Sequence, residues 1–392
     1  MWTSTKSWVR RATTALVFLC LANGFAAGAS LPHYLVTNDD ATFSNGVTFY
    51  TVGAGGGLTL KQQVLTGGFG IGGGFFGANR VAVLNNGSAE CVYASDAATG
   101  GIVGIDVSTL EVGGSATGSA NDSGATNGIG LAMNAQYLYA GFTSSNTIGT
   151  FQVQAGCTLT FVSDVSVAGL QGGFIDGMAI HGNLLVATYG DGSIESFNIA
   201  SGPPVSNGDE QNSTAYLKSQ GATYPNGVEI TKDGHYALFG DTATSTVVEV
   251  SDISSGKLGK TVMFSLGLAV SSSNILLSPD ETLLYISNTQ GDKITAASFN
   301  KATGKLSTGC ASSRLKGYSS SWSYLAALAL ESNAGTGGVI YVAEFGSLSS
   351  IAMVQVTSTG GKCSLKELSG SPVADPNSSG LLSIGSFPPR SF

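Results

Sequence analysis

Short apolar strands alternate with polar turns along the chain, and one strand recurs seven times. It reads Leu35-Val36-Thr37-Asn38, Val92-Tyr93-Ala94-Ser95, Leu138-Tyr139-Ala140-Gly141, Leu185-Val186-Ala187-Thr188, Ala237-Leu238-Phe239-Gly240, Leu284-Tyr285-Ile286-Ser287 and Ile340-Tyr341-Val342-Ala343. Successive starts lie 57, 46, 47, 52, 47 and 56 residues apart. Most copies are followed by a polar turn and a second alternating strand, as at Ile102 to Val107, Ile148 to Val153, Ile194 to Phe197 and Val247 to Val250. Period-two alternation between Gly, Asp and Ser turns predicts antiparallel hairpins. A third strand follows at hairpin distance, as at Thr160 to Val165 and Cys363 to Leu368, and an apolar run then precedes the next copy.

Those runs are Val81 to Leu84, Ile129 to Met133, Met178 to Ile180, Gly227 to Ile230, Ile275 to Leu277 and Leu325 to Leu330. Four strands per unit and seven units predict an all-β chain folded as a seven-bladed β-propeller, with the apolar runs as inner strands beside the central channel. The rivals are an open β-sandwich array and a right-handed β-helix, whose rung is shorter than a unit of roughly 50 residues. Six inner strands lie between seven recurring strands, so the first blade lacks its own. The run Leu381 to Phe387 has the right character, and it is expected to pair with Leu35 to Asn38 and close the ring, removing the free sheet edges.

The first residues change the picture of where the chain works. Lys6, Arg10 and Arg11 precede an apolar stretch from Ala12 to Phe25, and Ala27-Gly28-Ala29 offers small side chains to a signal peptidase. Residues 1–29 are therefore expected to be a cleaved signal peptide and residues 30–392 a single propeller domain. An uncleaved anchor is the rival, but Asn23 and Gly24 interrupt the run short of the roughly 20 residues a bilayer requires. Cys20 follows Leu19, where lipoprotein signals carry a small residue. Three basic residues and no acidic ones lie in that segment, so its removal takes the net charge from −8 to −11. Such a surface repels nucleic acid and anionic membranes. Only 11% of residues are charged and 56 are glycine, a turn-rich β composition solvated by hydroxyls and amides. A monomer is expected.

Four cysteines remain after cleavage: Cys91, Cys157, Cys310 and Cys363. An even number in an exported chain favours two disulfides, and three histidines with no CxxC spacing give zinc little to bind. Three pairings are possible. The favoured one, Cys91–Cys157 with Cys310–Cys363, joins adjacent repeats, each bridge contributing on the order of 4 kcal/mol.

The recurring strand and the Val/Ile-x-x-Phe/Ile-x-Val strand after it resemble the YVTN type of propeller repeat. Over residues 33 to 387 the chain resembles the seven-bladed lactonase family, which includes 6-phosphogluconolactonase-like and carboxymuconate-cyclase-like proteins. The resemblance implies a propeller with its site at one mouth of the channel. It also implies His, Arg and Glu residues there, in a His-Pro segment and an Asn-Glu strand that cannot be placed on this chain. His33 follows Pro32, His181 ends an inner strand, and His235 lies in the Lys232-Asp233-Gly234 turn.

Other candidate chemistry sits just before the inner strands. Asn127-Gly128, Asp176-Gly177 and Asn226-Gly227 recur about one blade apart, with Asn79 and Asn274 in similar places. Carbonyl and carboxylate oxygens converging on the axis could hold Ca2+ or another divalent cation, a metal set of Asn127, Asp176 and Asn226. The competing reading is that Asn-Gly and Asp-Gly simply serve turns that need positive φ. Asn79 and Arg80, with Trp322 and Tyr324, form a candidate ligand-binding set able to stack on a sugar or aromatic acid, unless the aromatics cover a seam between blades. Residues 67–74 match GxGxxG without a following helix, which reads as a loop, and no Gly-x-Ser-x-Gly elbow is present. The sequons at Asn86, Asn121, Asn212 and Asn377 matter only in a glycosylating host. Two long loops, Gly202 to Gln220 and Arg314 to Ser323, are natural places for specificity. The expected function is an exported, non-catalytic module binding a small ligand, glycan or partner protein at the channel mouth. The alternatives are a lactonase- or cyclase-type enzyme using a weak metal site there, and a purely structural envelope component.

Overall fold

Seven four-stranded antiparallel units make up the computed structural model of this chain, and no α-helix occurs among the described residues. The structure describes Met1 and residues 33–72, 80–87, 89–119, 122, 128–170, 173–212, 225–241, 247–266, 272–288, 293–317, 324–330, 338–345, 349–359, 362–378, 380 and 383–389. Apart from Met1, the expected signal segment lies outside them.

The inner strands of blades 2 to 7 are Val81–Asn85, Ile129–Met133, Ile175–His181, Pro225–Ile230, Ser272–Leu277 and Tyr324–Leu330. The inner strand of blade 1 is Ser383–Phe387, paired with Tyr34–Asn38 in a register running from Tyr34 opposite Phe387 to Asn38 opposite Ser383. The ring closes as the sequence predicts: each inner strand contacts its two neighbours in cyclic order, with Ser383–Phe387 between those of blades 7 and 2.

Period-two alternation explains the core. The sheets stand edge-on to the channel, so odd and even residues of one strand enter different seams. Leu35 packs toward blade 7 with Tyr341 and Ile351, while Val36 packs toward blade 2 with Val92 and Val103. Seven apolar clusters result, one per seam. The repeat tyrosine has a specific task in two blades: Tyr139 donates its hydroxyl to the Gly202 carbonyl at 2.8 Å, and Tyr341 does so to Gly56 at 3.0 Å. Both carbonyls lie in a turn of the next blade, where the glycine has positive φ. At Gly56 a Cβ would also come within 2.3 Å of Val339, so that turn needs glycine twice over.

Two bridges staple neighbouring blades. Cys91 of blade 2 is joined to Cys157 in a turn of blade 3, and Cys310 to Cys363 across the outer strands of blades 6 and 7. Disulfides belong to proteins that fold in an oxidising compartment. No helix among the described residues is long and apolar enough to cross a membrane.

Two features have no counterpart in the sequence reading. The long loop from Gly202 holds the outer strand of blade 4, split into Val205–Ser206 and Gln211–Asn212, both paired with Ser193–Asn198. In blade 7 an extra strand, Val373–Ala374, pairs with the start of Ser350–Thr359. Dipeptide strands carry too little alternation to register as strands.

Candidate functional site

The inner strands enclose an axial channel of about 540 Å³ to which all seven blades contribute, a volume within the range of small-molecule sites. Its wall includes Val81, Leu131, Met178, Val228, Leu276, Ala329 and Ile384. The two ends differ. Arg80, Gly128, Asp176 and Ser383 mark the near mouth, where inner strands begin, and Asn134, His181, Lys232 and Pro389 mark the far mouth, where they end.

At the near mouth the structure seals the cation that the sequence offered to a ligand. Arg80 is fully buried, and its Nη1 lies 2.6 Å from Asp40 Oδ2. Asp40 adopts φ 50°, in the left-handed region, and its other oxygen accepts the Ile71 amide at 3.1 Å. The Arg80 amide donates to the Ser383 hydroxyl at 2.8 Å, tying the start of blade 2 to the closing strand. A Cβ on Gly128 would lie within 2.8 Å of the guanidinium, and Gly128 has φ 111°. This group joins three blade starts, and a fully buried pair of this kind costs several kcal/mol when one partner is removed.

Asp176 is the second near-mouth feature. Its residue is inserted at a bulge, since Ile175 pairs with Tyr189 and Gly177 with Thr188. Gly177 has no positive φ, so here Asp-Gly serves a strand irregularity and not a turn. The Asp176 side chain is 2% exposed, and neither carboxylate oxygen has a hydrogen-bond partner. Burial pushes its pKa well above the ordinary carboxylate range. Asn79, Asn127 and Trp322 lie outside the described residues, as do the side chains of Asn226 and Tyr324 in their strands. Of the expected metal and ligand residues, the structure thus describes the side chains of Asp176 and Arg80, and it does not bring those two into contact. No group of three or more His, Cys, Asp or Glu suited to a metal occurs among the described residues.

The far mouth carries groups that composition alone did not single out. Asn134, His181, Glu229, Lys232 and Ser386 line it. His181 Nε2 lies 2.9 Å from the Lys232 carbonyl oxygen, which can only accept, so Nε2 donates. Gly234 packs on the Nδ1–Cε1 edge, where a Cβ would sit 2.7 Å from both atoms. The imidazole is thereby clamped between blades 4 and 5. Lys232 reaches the Pro279 carbonyl at 2.8 Å from an exposed position. The signal that could have found this rim was position: His181 is the last residue of one inner strand and Lys232 falls just past the next.

A buried Arg80–Asp40 pair at one end of the channel and a polar rim at the other belong to a seven-bladed propeller with an axial cavity. The family profile described as Lactonase, 7-bladed beta-propeller matches residues 93–371, most of the chain, which therefore belongs to that family. No curated protein matches the chain. Among solved structures it is similar to a putative 6-phosphogluconolactonase from Bacteroides uniformis, with 15% identity, 91% of this chain and 99% of that one covered and a TM-score of 0.68. It is also similar to a putative 6-phosphogluconolactonase from Bacteroides fragilis, at 14% identity, 91% and 97% coverage and a TM-score of 0.64. The periplasmic gluconolactonase PpgL of Pseudomonas aeruginosa aligns at 14% identity over 90% and 98%, with a TM-score of 0.62. At these identities the likeness is one of fold.

Proposed function

We propose that the protein is exported and binds a small ligand in its axial channel, entering by the far mouth. The observation that carries this reading is the cavity itself: about 540 Å³ with apolar walls and a polar rim at one end. Apolar side chains supply contact area, and Asn134, His181, Glu229, Lys232 and Ser386 supply orientation. Export rests on the two disulfides and on the basic, apolar and small-residue order of residues 1–29. A thermal-shift screen of sugar acids, lactones and aromatic acids tests it. A ligand that raises the melting temperature of the wild type should lose that effect in Ala179→Phe, which fills the channel. A shift that survives the filled channel, or no shift with any compound, overturns the proposal.

A second reading is lactone hydrolysis, and one observation favours it beyond family membership. A buried carboxylate with two unpartnered oxygens suits a cation, and Asp176 is such a group. Asn127 and Asn226 would add amide oxygens, and one carboxylate among them implies weak affinity. A bound divalent cation would polarise a lactone carbonyl and acidify a water. Calcium should then raise the melting temperature of chelator-treated wild type but not of Asp176→Asn, and lactone turnover should follow the same pattern. Identical calcium responses in the two proteins remove the reading.

A further inference from the structure

The seam where blade 7 meets blade 1 holds a pair of buried carboxyl groups that neither reading uses. Asp39 follows the strand Tyr34–Asn38, and Asp375 follows the extra strand Val373–Ala374. The Thr37 hydroxyl lies 2.9 Å from Asp39 Oδ1 and 3.0 Å from Asp375 Oδ2. It has one hydrogen to give. When it donates to one carboxylate, its lone pairs face the other, and that contact is favourable only if the second carboxyl carries a proton and donates back.

The remaining partners make the arrangement specific. Asp39 Oδ2 accepts from Thr48 at 3.0 Å and Gln63 at 2.8 Å, while Asp375 Oδ1 accepts the Asn377 amide at 3.1 Å. Asn377 Nδ2 reaches the Thr48 hydroxyl at 3.1 Å, and the Ser378 hydroxyl reaches the Asp39 carbonyl at 2.9 Å. The Asp375 amide in turn donates to the Ser349 carbonyl at 2.9 Å. One strap of chain, 371–378, is thus bound to both blades. On the opposite face of blade 7, toward blade 6, Glu344 accepts the Ser350 hydroxyl at 2.5 Å and faces Glu367. Among the described residues, the charged and titratable groups against the pair are each other and the buried Tyr50. Arg80 is held by Asp40, and the ammonium of Lys316 reaches the carbonyls of Leu368 and Ser371.

We propose that this seam is a proton-held clasp, in which Asp39 and Asp375 share a proton through the Thr37 hydroxyl and so fasten strap 371–378 across the closing point of the ring. Losing the proton places two anions against one hydroxyl and loosens the strap. The direction of titration agrees: burial, then Asp375, pushes Asp39 up to about 7, and burial raises Asp375 as well. A group whose pKa is raised on folding contributes stability that is present in acid and lost as pH rises through the folded value.

Thermal and chemical unfolding between pH 5 and 9 tests the clasp in wild type and Asp39→Asn, which keeps the shape and cannot ionise. The wild-type folded-to-unfolded ratio should fall by up to about tenfold per pH unit between pH 5 and 7 relative to the variant. Glu344, pushed up to about 7 by burial, still titrates in Asp39→Asn, so the variant's slope is reduced and Asp39→Asn/Glu344→Gln flattens it further. Parallel curves for all three overturn the proposal. Should the variants not fold, hydrogen exchange of the wild type decides. Protection of the Asp375 and Asn377 amides, corrected for intrinsic rate, should drop from pH 6 to 8 while that of Val186 in blade 4 holds; unchanged protection at the strap sinks the clasp.

Discussion

Closure of the ring by Ser383–Phe387 can be tested by two side chains that leave the backbone ladder alone. Ile384 is 3% exposed and packs in the seam of blades 7 and 1, against Leu35, Tyr50 and Tyr341. Phe387 is 1% exposed and packs in the seam of blades 1 and 2, with Tyr34, Val36 and Phe49. The two lie on opposite faces of the strand and share no cluster, so their effects should add. Truncation to alanine should cost about 2 to 5 kcal/mol at Ile384 and about 3 to 5 at Phe387. Together that is comparable with the roughly 5 to 15 kcal/mol stability of a typical domain. Denaturant unfolding followed by circular dichroism measures each single and the double, with Ile275→Ala in the inner strand of blade 6 as an internal control. The double variant should unfold far below the wild type. It should also associate at high concentration in light scattering, because strand Tyr34–Asn38 becomes a free edge. Losses under about 1 kcal/mol at both positions, with a full loss at Ile275, would mean that the ring is not closed by this strand.

Three other positions give independent tests. Reducing either disulfide, or replacing its cysteines by serine, should cost on the order of 4 kcal/mol given spans of 66 and 53 residues, read as a lower melting temperature that reductant lowers no further in the variant. Gly104→Ala would place a Cβ 1.9 Å from the Cys157 carbonyl oxygen and should destabilise by more than about 2 kcal/mol, whereas Gly53→Ala, with its nearest atom at 3.5 Å, should be tolerated in the same melt. In metal-free buffer Asp176→Asn should gain stability relative to wild type as pH rises, since burial raises the Asp176 pKa and the wild type loses stability through that titration; equal pH profiles would show that the carboxyl is already solvated.

What was legible in the sequence is what period-two alternation writes. The seven recurring strands are the second strands of the seven blades, from Tyr34–Asn38 to Val339–Phe345, because each must bury both faces in adjacent seams. Counting inner strands then required the C-terminal run, and Phe387 opposite Tyr34 meets that requirement. Polar groups in loops obey no such rule. Nothing in the chain order links Arg80 to Asp40, whose backbone must turn through positive φ to reach it. Thr37 and Asp375 meet across 338 residues only because the ring brings both ends of the chain into one blade. The candidate set at the inner-strand starts was chosen by residue type, and type does not distinguish a bulge at Asp176 from a turn at Gly128.

The placement of charge separates this chain's scaffold from its chemistry. Lactone opening needs a base for water and a positive group for the developing oxyanion. At the near mouth Arg80 is buried against Asp40, which leaves Asp176 as an acid whose neutral form burial favours. At the far mouth the imidazole of His181 has one nitrogen on the Lys232 carbonyl and the other edge beside Gly234, both in blade 5, so its contacts tie blades 4 and 5 together. Lys232 remains the permanent cation among the described residues lining the channel, and it sits at the exposed rim. Binding in the channel therefore asks less of these residues than hydrolysis does, and hydrolysis depends on what Asp176 holds. A calcium response that vanishes in Asp176→Asn would move the balance to catalysis; a ligand shift that vanishes in Ala179→Phe, with no calcium response, would leave binding as the work of the channel.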